Sequence, residues 1–234
     1  MNKLWIFGDS FSHGGGCFFE EWKGEVGPTL YEKYLEHYQN YPIIYKSDTD
    51  IDGGWAPEAA NYLNLKLEQH AIGGNNWDSV RNLLIKKLPS MDINDCIIFS
   101  NPYYERRLES SPIDGKMLDV QSYVKSKGDT QWGSHLTSSE LRTWIDYISI
   151  YHNGESLEGW ERYIKNETKN LSTTLNLLGY KTMCWSMKEH SNNYENIKQH
   201  TKGKINDQHW SFKGNKDFFN DIIKPQISGW RKII

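Results

Sequence analysis

KLWIFGDSFS, residues 3–12, joins a short apolar run to a glycine, an aspartate and a serine. A continuous apolar run of this length is typical of a strand that is buried on both faces of a parallel sheet. Glycine, aspartate and serine are residues that turn the chain. The segment therefore predicts a first strand over residues 3–7 and a tight loop that presents Ser10 at the carboxyl end of that strand.

Short apolar runs alternate with helical patterns along the rest of the chain. Strands are predicted over residues 3–7, 65–72, 95–99 and 181–187. Helices are predicted over residues 29–39, 57–63, 77–88, 136–151, 157–178 and 211–223, and loop-rich segments over residues 13–54 and 103–135. This alternation predicts a three-layer α/β/α sandwich whose mostly parallel central sheet carries long loop insertions. A length of 234 residues suits a single domain over residues 1–234.

The composition argues against several classes of protein. A formal charge of −3 provides no broad positive field, so we expect no sequence-independent binding to nucleic acid. The three cysteines, Cys17, Cys96 and Cys184, are odd in number and widely spaced, which argues against a disulfide framework and a zinc site. No apolar run reaches the length of a signal peptide or a membrane span. We expect a cytoplasmic protein without a metal or cofactor, or one released by a route that the sequence does not display.

Polar residues follow three of the predicted strands and precede the last predicted helix. The four blocks are Gly8-Asp9-Ser10, Gly73-Gly74-Asn75-Asn76, Ser100-Asn101-Pro102 and Asp207-Gln208-His209-Trp210. In an open parallel sheet, ligands bind at the carboxyl ends of the strands. We therefore expect the blocks to contribute to one site.

Ser10 and His209 have the residue types of a nucleophile and its base. A serine hydroxyl is a poor nucleophile at neutral pH and needs a neighbouring imidazole to take its proton. A third group must hold the imidazole in one tautomer, and Asp207 is the candidate for this role. If the segment is extended, the side chains of residues 207 and 209 point to the same side of the chain.

The order and placement of these blocks resemble the SGNH hydrolase family, also called the GDSL esterases and lipases. The run GGWAPEAANYLNLKLEQHAIGGNNWDSV, residues 53–80, also looks like the family's passage from an aromatic residue, through a helix, into its glycine block. The resemblance implies a flavodoxin-like fold and an oxyanion hole made by the backbone N–H groups of Ser10 and Gly74 and the side-chain amide of Asn101. A glycine suits this role because its amide can approach a ligand closely, and Gly73 takes the role if the loop is shifted by one residue.

Two of the four blocks depart from the family's commonest pattern. The acid usually precedes the histidine by three positions, where this chain has Asn206, and Asp207 stands one position nearer. Some relatives with this shorter spacing are polysaccharide O-acetyltransferases. Either Asp207 completes a triad, or Ser10 and His209 work as a dyad whose ring is oriented by a backbone carbonyl. The third block lacks the family's leading glycine and second aspartate, so Asn101 is the weakest match.

Other polar residues near these blocks have structural interpretations. Asp9 is expected to accept hydrogen bonds from the backbone of its own loop. Asn75 or Asn76 is expected to cap the helix over residues 77–88, and Ser211 to cap the last helix. Gly179 is expected to end the helix over residues 157–178.

The sequence favours a serine esterase that cleaves a small ester or an acylated carbohydrate through an acyl-Ser10 intermediate. Ten Trp, fourteen Tyr and eight Phe provide rings that pack cores and also stack on sugars. One alternative is an O-acyltransferase with the same site, and another is a non-catalytic module that binds a glycan or a partner on the same scaffold. A nucleotide-binding domain has little support, because the chain lacks both the GxGxxG and the P-loop spacing. The sequence does not indicate an oligomeric state.

Overall fold

The computed structural model describes residues 2–14, 54–71, 75–102, 106–110, 117–121, 157–200, 202–203 and 208–232. The strands in these ranges are β1 (Lys3–Gly8), β2 (Lys66–Ala71), β3 (Cys96–Asn101), β4 (Arg106–Ser110), β5 (Met117–Gln121) and β6 (Lys181–Ser186). The helices are α1 (Ser10–His13), α2 (Trp55–Leu63), α3 (Trp77–Lys87), α4 (Leu157–Leu177), α5 (Met187–His190), α6 (Ile197–His200), α7 (Phe212–Phe218) and α8 (Lys224–Ile227). All four predicted strands are confirmed, with bounds that differ by one or two residues.

Four strands form a parallel sheet in the order β2-β1-β3-β6. The register pairs Phe7 of β1 with Phe99 of β3, and Phe99 in turn with Cys184 of β6. Every residue of β3 is buried, as are all residues of β1 after Lys3. The interpretation of residues 3–7 as a buried first strand is therefore confirmed from Leu4 onward, and Lys3 is half-buried.

Helices cover both faces of this sheet. Alternate residues of a strand point to opposite faces, so β1 and β3 contribute to two separate cores. One core contains Leu4, Ile6 and Ile98 with residues of α2 and α7, including Trp55 and Phe218. The other core contains Trp5, Phe7 and Phe99 with residues of α3 and α4, including Leu84 and Ile164. The predicted α/β class with three layers is confirmed.

The predicted helix ends are also confirmed. The Asn76 side chain accepts a hydrogen bond from the Ser79 backbone N–H at the start of α3, at 2.9 Å. The Ser211 hydroxyl caps α7 in the same way and accepts a hydrogen bond from the Gly214 backbone N–H at 3.1 Å. Gly179 follows α4 with a φ of 97°, a left-handed conformation that favours glycine at the end of a helix.

The last helical region is longer than the prediction for residues 211–223. After α7 a π-helical turn covers Phe219–Ile223, and α8 and a 3-10 turn over Ser228–Lys232 continue from it. Pro225 lies in the first turn of α8. Proline lacks an N–H and crowds the carbonyl four residues earlier, so a widened turn before it relieves the contact.

Part of the segment over residues 103–135, which the sequence predicts to be a loop-rich insertion, forms a hairpin. Strands β4 and β5 pair antiparallel, with Glu109 opposite Leu118. The helices predicted over residues 29–39 and 136–151 lie outside the described residues. Within the described ranges, no helix is both long and apolar enough to cross a membrane.

Candidate active site

Ser10 is the first residue of α1 and lies directly beyond the carboxyl end of β1. Asp9 forms the N-cap of this helix, and its Oδ1 atom accepts a hydrogen bond from the Phe11 backbone N–H at 3.1 Å. Asp9 is fully buried and Ser10 is 5% exposed. The prediction that Asp9 supports its own loop is confirmed, and Ser10 is held at one position by that loop.

A pair of buried hydroxyls fixes the turn between β1 and α1 to the neighbouring strand. The Ser12 hydroxyl donates a hydrogen bond to the Ser100 hydroxyl at the end of β3, at 2.9 Å. A Cβ atom at Gly8 would collide with the Oγ atoms of both serines. Glycine is therefore required at position 8 because the two hydroxyls meet beside its Cα atom.

His209 lies beside the hydroxyl of Ser10. Its Nε2 atom is 2.7 Å from the Ser10 Oγ atom, within hydrogen-bond distance. The imidazole ring packs against the Phe11 ring at a centroid distance of 4.9 Å and is partly exposed. When the neutral ring carries its proton on Nδ1, Nε2 accepts the hydroxyl proton, which is the geometry that a general base requires.

The backbone around His209 is held by the segment that precedes α6. The His209 carbonyl accepts a hydrogen bond from the Ile197 N–H at 2.9 Å, and Asn196 and Trp210 form an isolated antiparallel bridge. The Trp210 indole is buried and donates to the Ser191 carbonyl at 2.9 Å. These contacts fix the loop on both sides of the imidazole.

A buried network joins the His209 loop to the helix that carries Ser10. The Asn215 side-chain amide donates to the carbonyls of Trp210 and Ser211, each at 3.1 Å. Its oxygen accepts a bond from the Trp55 backbone N–H at 3.4 Å, and the Trp55 indole donates to the Phe11 carbonyl at 3.1 Å. Asn215 and Trp55, both at most 1% exposed, therefore connect the loops of the two reactive side chains.

Neither Asn215 nor Trp55 carries a functional signal in the sequence, where Trp55 is only one residue of the run over residues 53–80. A single asparagine inside a helical segment is ordinary in a sequence. Its significance comes from complete burial, since a buried amide must satisfy its donors and its acceptor within the protein.

The remaining predicted site residues are placed only in part. Asn101 ends β3 and is 3% exposed, and its Oδ1 atom has no hydrogen-bond partner among the described residues. Asn75 donates to the Gly8 carbonyl at 3.1 Å, which joins the loop after β2 to the loop after β1. Gly73, Gly74, Asn206 and Asp207 lie outside the described residues.

The side chains of the described ranges include no group of three or more His, Cys, Asp or Glu residues arranged to hold a metal ion. The arrangement that these ranges do contain is a hydroxyl and an imidazole in hydrogen-bond contact, beside the ends of β1 and β3. Such a pair can perform nucleophilic attack with transfer of the hydroxyl proton.

Comparison of the chain with protein-family models, with curated proteins and with solved structures found no match in any of the three.

Proposed function

We propose that this chain is a serine-dependent esterase that acts through an acyl-Ser10 intermediate and is related to the SGNH hydrolases. The observation that carries the proposal is the 2.7 Å contact between His209 Nε2 and Ser10 Oγ. General-base assistance by a positioned histidine accelerates such reactions by roughly 10²- to 10⁴-fold. The proposed substrates are a small ester or an acylated carbohydrate.

The reaction has two halves. The Ser10 oxygen attacks the ester carbonyl carbon while His209 Nε2 takes the hydroxyl proton. The tetrahedral intermediate then collapses, the bond from carbon to the alcohol oxygen breaks, and His209 returns the proton to that oxygen. Water attacks the acyl-Ser10 ester with His209 again as the base, and the carboxylic acid leaves as Ser10 regains its proton.

The negative charge that develops on the carbonyl oxygen must be stabilised by hydrogen-bond donors. In the proposed site these are the backbone N–H groups of Ser10 and Gly74 and the side-chain amide of Asn101. A single oxyanion donor is worth about 3 kcal/mol of transition-state stabilisation in comparable hydrolases. The burial of Asn101 at the end of β3 supports this role, because a dry site strengthens its hydrogen bonds.

The direct test is hydrolysis of p-nitrophenyl acetate together with labelling by a fluorophosphonate. We expect turnover, and we expect mass spectrometry to find the label on Ser10. Ser10→Ala should abolish both. Ser228→Ala, at an exposed serine whose hydroxyl donates to the nearby Pro225 carbonyl, should preserve both. Folded wild-type protein that neither turns over the ester nor takes the label would contradict the proposal and favour the non-catalytic binding module.

A further inference from the structure

Gly8, the last residue of β1, is bound to both sides of the loop that follows β2. In the sheet register Gly8 pairs with Ala71, the last residue of β2. The Gly8 carbonyl also accepts a hydrogen bond from the Asn75 side chain, whose Nδ2 atom lies 3.1 Å away. The chain therefore leaves the sheet beside Gly8 at Ala71 and is bound to Gly8 again at Asn75, with residues 72–74 between the two contacts.

Asn75 is itself held in place by the start of α3. It is 8% exposed, and its Oδ1 atom accepts a hydrogen bond from the Asn76 backbone N–H at 3.2 Å. Asn76 caps α3, and the first residue of that helix, Trp77, is buried against the ring of Phe99 in β3. The Asn75 amide thus connects the start of a packed helix to the end of β1.

The Gly8 carbonyl lies close to the proposed nucleophile. Ser10 follows Gly8 by two residues, and two residues of chain span at most about 7 Å. The turn between them is fixed by Asp9 and by the hydrogen bond between Ser12 and Ser100. A group that is bound to the Gly8 carbonyl is therefore positioned relative to Ser10.

Gly74, the proposed oxyanion donor of this loop, directly precedes Asn75 in the chain. Consecutive Cα atoms are about 3.8 Å apart, so the Asn75 contact limits where the Gly74 N–H can lie. We propose that Asn75 is a positioning residue for the oxyanion hole, and that its amide holds the Gly74 N–H at a fixed distance from Ser10. This role rests on the proposed esterase activity and on Gly74 as a donor.

Asn75 acts through the backbone and does not contact the ester. A donor stabilises the oxyanion only within hydrogen-bond distance, about 2.7–3.1 Å from the position that the oxygen takes in the transition state. A displacement of about 1 Å in an active site can cost about 100-fold in rate. Loss of the Asn75 amide should therefore slow the chemical step and leave substrate binding nearly unchanged.

The test compares full-length variants with p-nitrophenyl acetate and with p-nitrophenyl thionoacetate, in which sulfur replaces the carbonyl oxygen. Asn75→Ala removes the amide. Asn75→Asp keeps the size of the side chain and an acceptor for the Asn76 N–H while it removes the donor. Each variant should lower kcat for the oxygen ester at least about tenfold and change KM less than about threefold, because an oxyanion hole binds the transition state rather than the substrate.

The thionoester separates a positioning role from a merely structural one. Its tetrahedral intermediate places a sulfur atom, which accepts hydrogen bonds more weakly than oxygen, in the oxyanion hole. If Asn75 positions the Gly74 N–H, kcat/KM for the oxygen ester should fall at least about threefold more than kcat/KM for the thionoester in both variants. A variant that only unfolds part of the protein lowers both rates equally and leaves their ratio unchanged.

Asn193→Ala is the matched control. The Asn193 amide also donates to a backbone carbonyl, that of Glu189 at 2.8 Å, but Asn193 is exposed and lies in the segment that follows α5. This variant should keep the wild-type kcat and the wild-type ratio of the two substrates.

The outcomes for Asn75 and for the esterase are distinguishable. A kcat within threefold of an active wild type in Asn75→Asp would overturn the positioning role and leave the esterase standing, as would an unchanged ratio of the two substrates. Wild-type protein that neither hydrolyses the ester nor takes the fluorophosphonate label would contradict the proposed function, and the role of Asn75 with it.

Discussion

The Nε2 atom of His209 lies 2.7 Å from the Oγ atom of Ser10, although 199 positions separate the two residues in the chain. Neither residue is placed by contact with the other alone. The Ser10 turn is held by Asp9 and by the Ser12–Ser100 pair, and the His209 loop by the Ile197 backbone and the Trp210 indole. A reactive pair whose two loops are fixed separately loses little conformational entropy when it reacts.

Replacing the proposed base should remove most of the activity. Glutamine at position 209 can still form a hydrogen bond but cannot take the hydroxyl proton, so His209→Gln should lower kcat for p-nitrophenyl acetate at least about 100-fold. His200→Gln is the matched control at an exposed histidine of α6 and should retain activity. A His209→Gln enzyme within threefold (about 0.65 kcal/mol) of wild type would rule out general-base catalysis by this residue.

Removing the Asn215 amide should affect both stability and catalysis. In Asn215→Ala the Trp210 carbonyl and the Trp55 N–H lose their side-chain partner, whereas the Ser211 carbonyl keeps the Asn215 backbone N–H. We expect a cost of about 1–3 kcal/mol in the free energy of unfolding. Because this amide links the two reactive loops, kcat should fall more than KM rises. Urea unfolding and steady-state kinetics measure these effects.

Asn220→Ala is the control for that variant, since Asn220 is exposed and its amide donates to the Lys216 carbonyl one helical turn earlier. Its free energy of unfolding should change by less than about 0.5 kcal/mol. If Asn215→Ala behaved like this control, the network would have no role in positioning the pair.

The close approach at Gly8 predicts a strong effect of a single methyl group. In Gly8→Ala the new Cβ would collide with the Ser12 and Ser100 hydroxyls, so we expect a loss of about 1–3 kcal/mol of stability and a loss of esterase activity as the turn shifts. Gly229→Ala adds a methyl group where no atom lies within 4 Å and should be neutral. Thermal unfolding of both variants provides the comparison, and equal melting temperatures would contradict the packing described for Gly8.

The buried position of the His70 imidazole leads us to expect a loss of stability in mild acid. Its ring stacks on those of Trp5 and Phe7, each at 5.4 Å, and its Nε2 atom is buried without a partner among the described residues. Burial lowers the pKa of this imidazole below its ordinary value of 6.5, and the charges of Lys87 and Lys3 lower it further against the opposing effect of Glu68.

The lowered pKa of His70 decides whether acid stabilises or destabilises the folded protein. The unfolded chain takes up a proton at His70 before the folded protein does, so the free energy of unfolding decreases as the pH falls below about 6.5. His70→Phe keeps a ring in the stack and should reduce this decrease. Urea unfolding at pH 7.5 and pH 5.5 measures this decrease in the free energy of unfolding. If the decrease is as large in His70→Phe as in the wild type, other groups are responsible.

Variants at positions 206 and 207 can identify the group that orients the His209 imidazole. We expect Asp207→Asn to lower kcat at least about tenfold, because an amide stabilises the imidazolium less well than a carboxylate. Asn206→Ala should retain activity. Full activity in Asp207→Asn would instead support a Ser10–His209 dyad.

The two central strands of the parallel sheet, β1 and β3, could be predicted because burial on both faces leaves a local signature. Residues 4–7 and 96–99 are apolar runs, and every residue of both runs is buried in the sheet. The hairpin of β4 and β5 was missed because RRLES and MLDVQ are short and mostly polar, so neither has a clear apolar pattern. Their strand character depends on mutual pairing, which a local pattern does not contain.

By itself, the sequence determined that Ser10 follows a buried strand and that His209 precedes the last helical region, because apolar runs and capping residues are local signals. Only the tertiary structure decided that these two side chains meet, that Ser12 bonds Ser100, and that Asn215 connects the two loops. The Ser10–His209 contact joins residues 199 positions apart, and the Ser12–Ser100 contact joins residues 88 positions apart. Their distances follow from the strand order and the packing of helices on the sheet, which arise from all the buried side chains together.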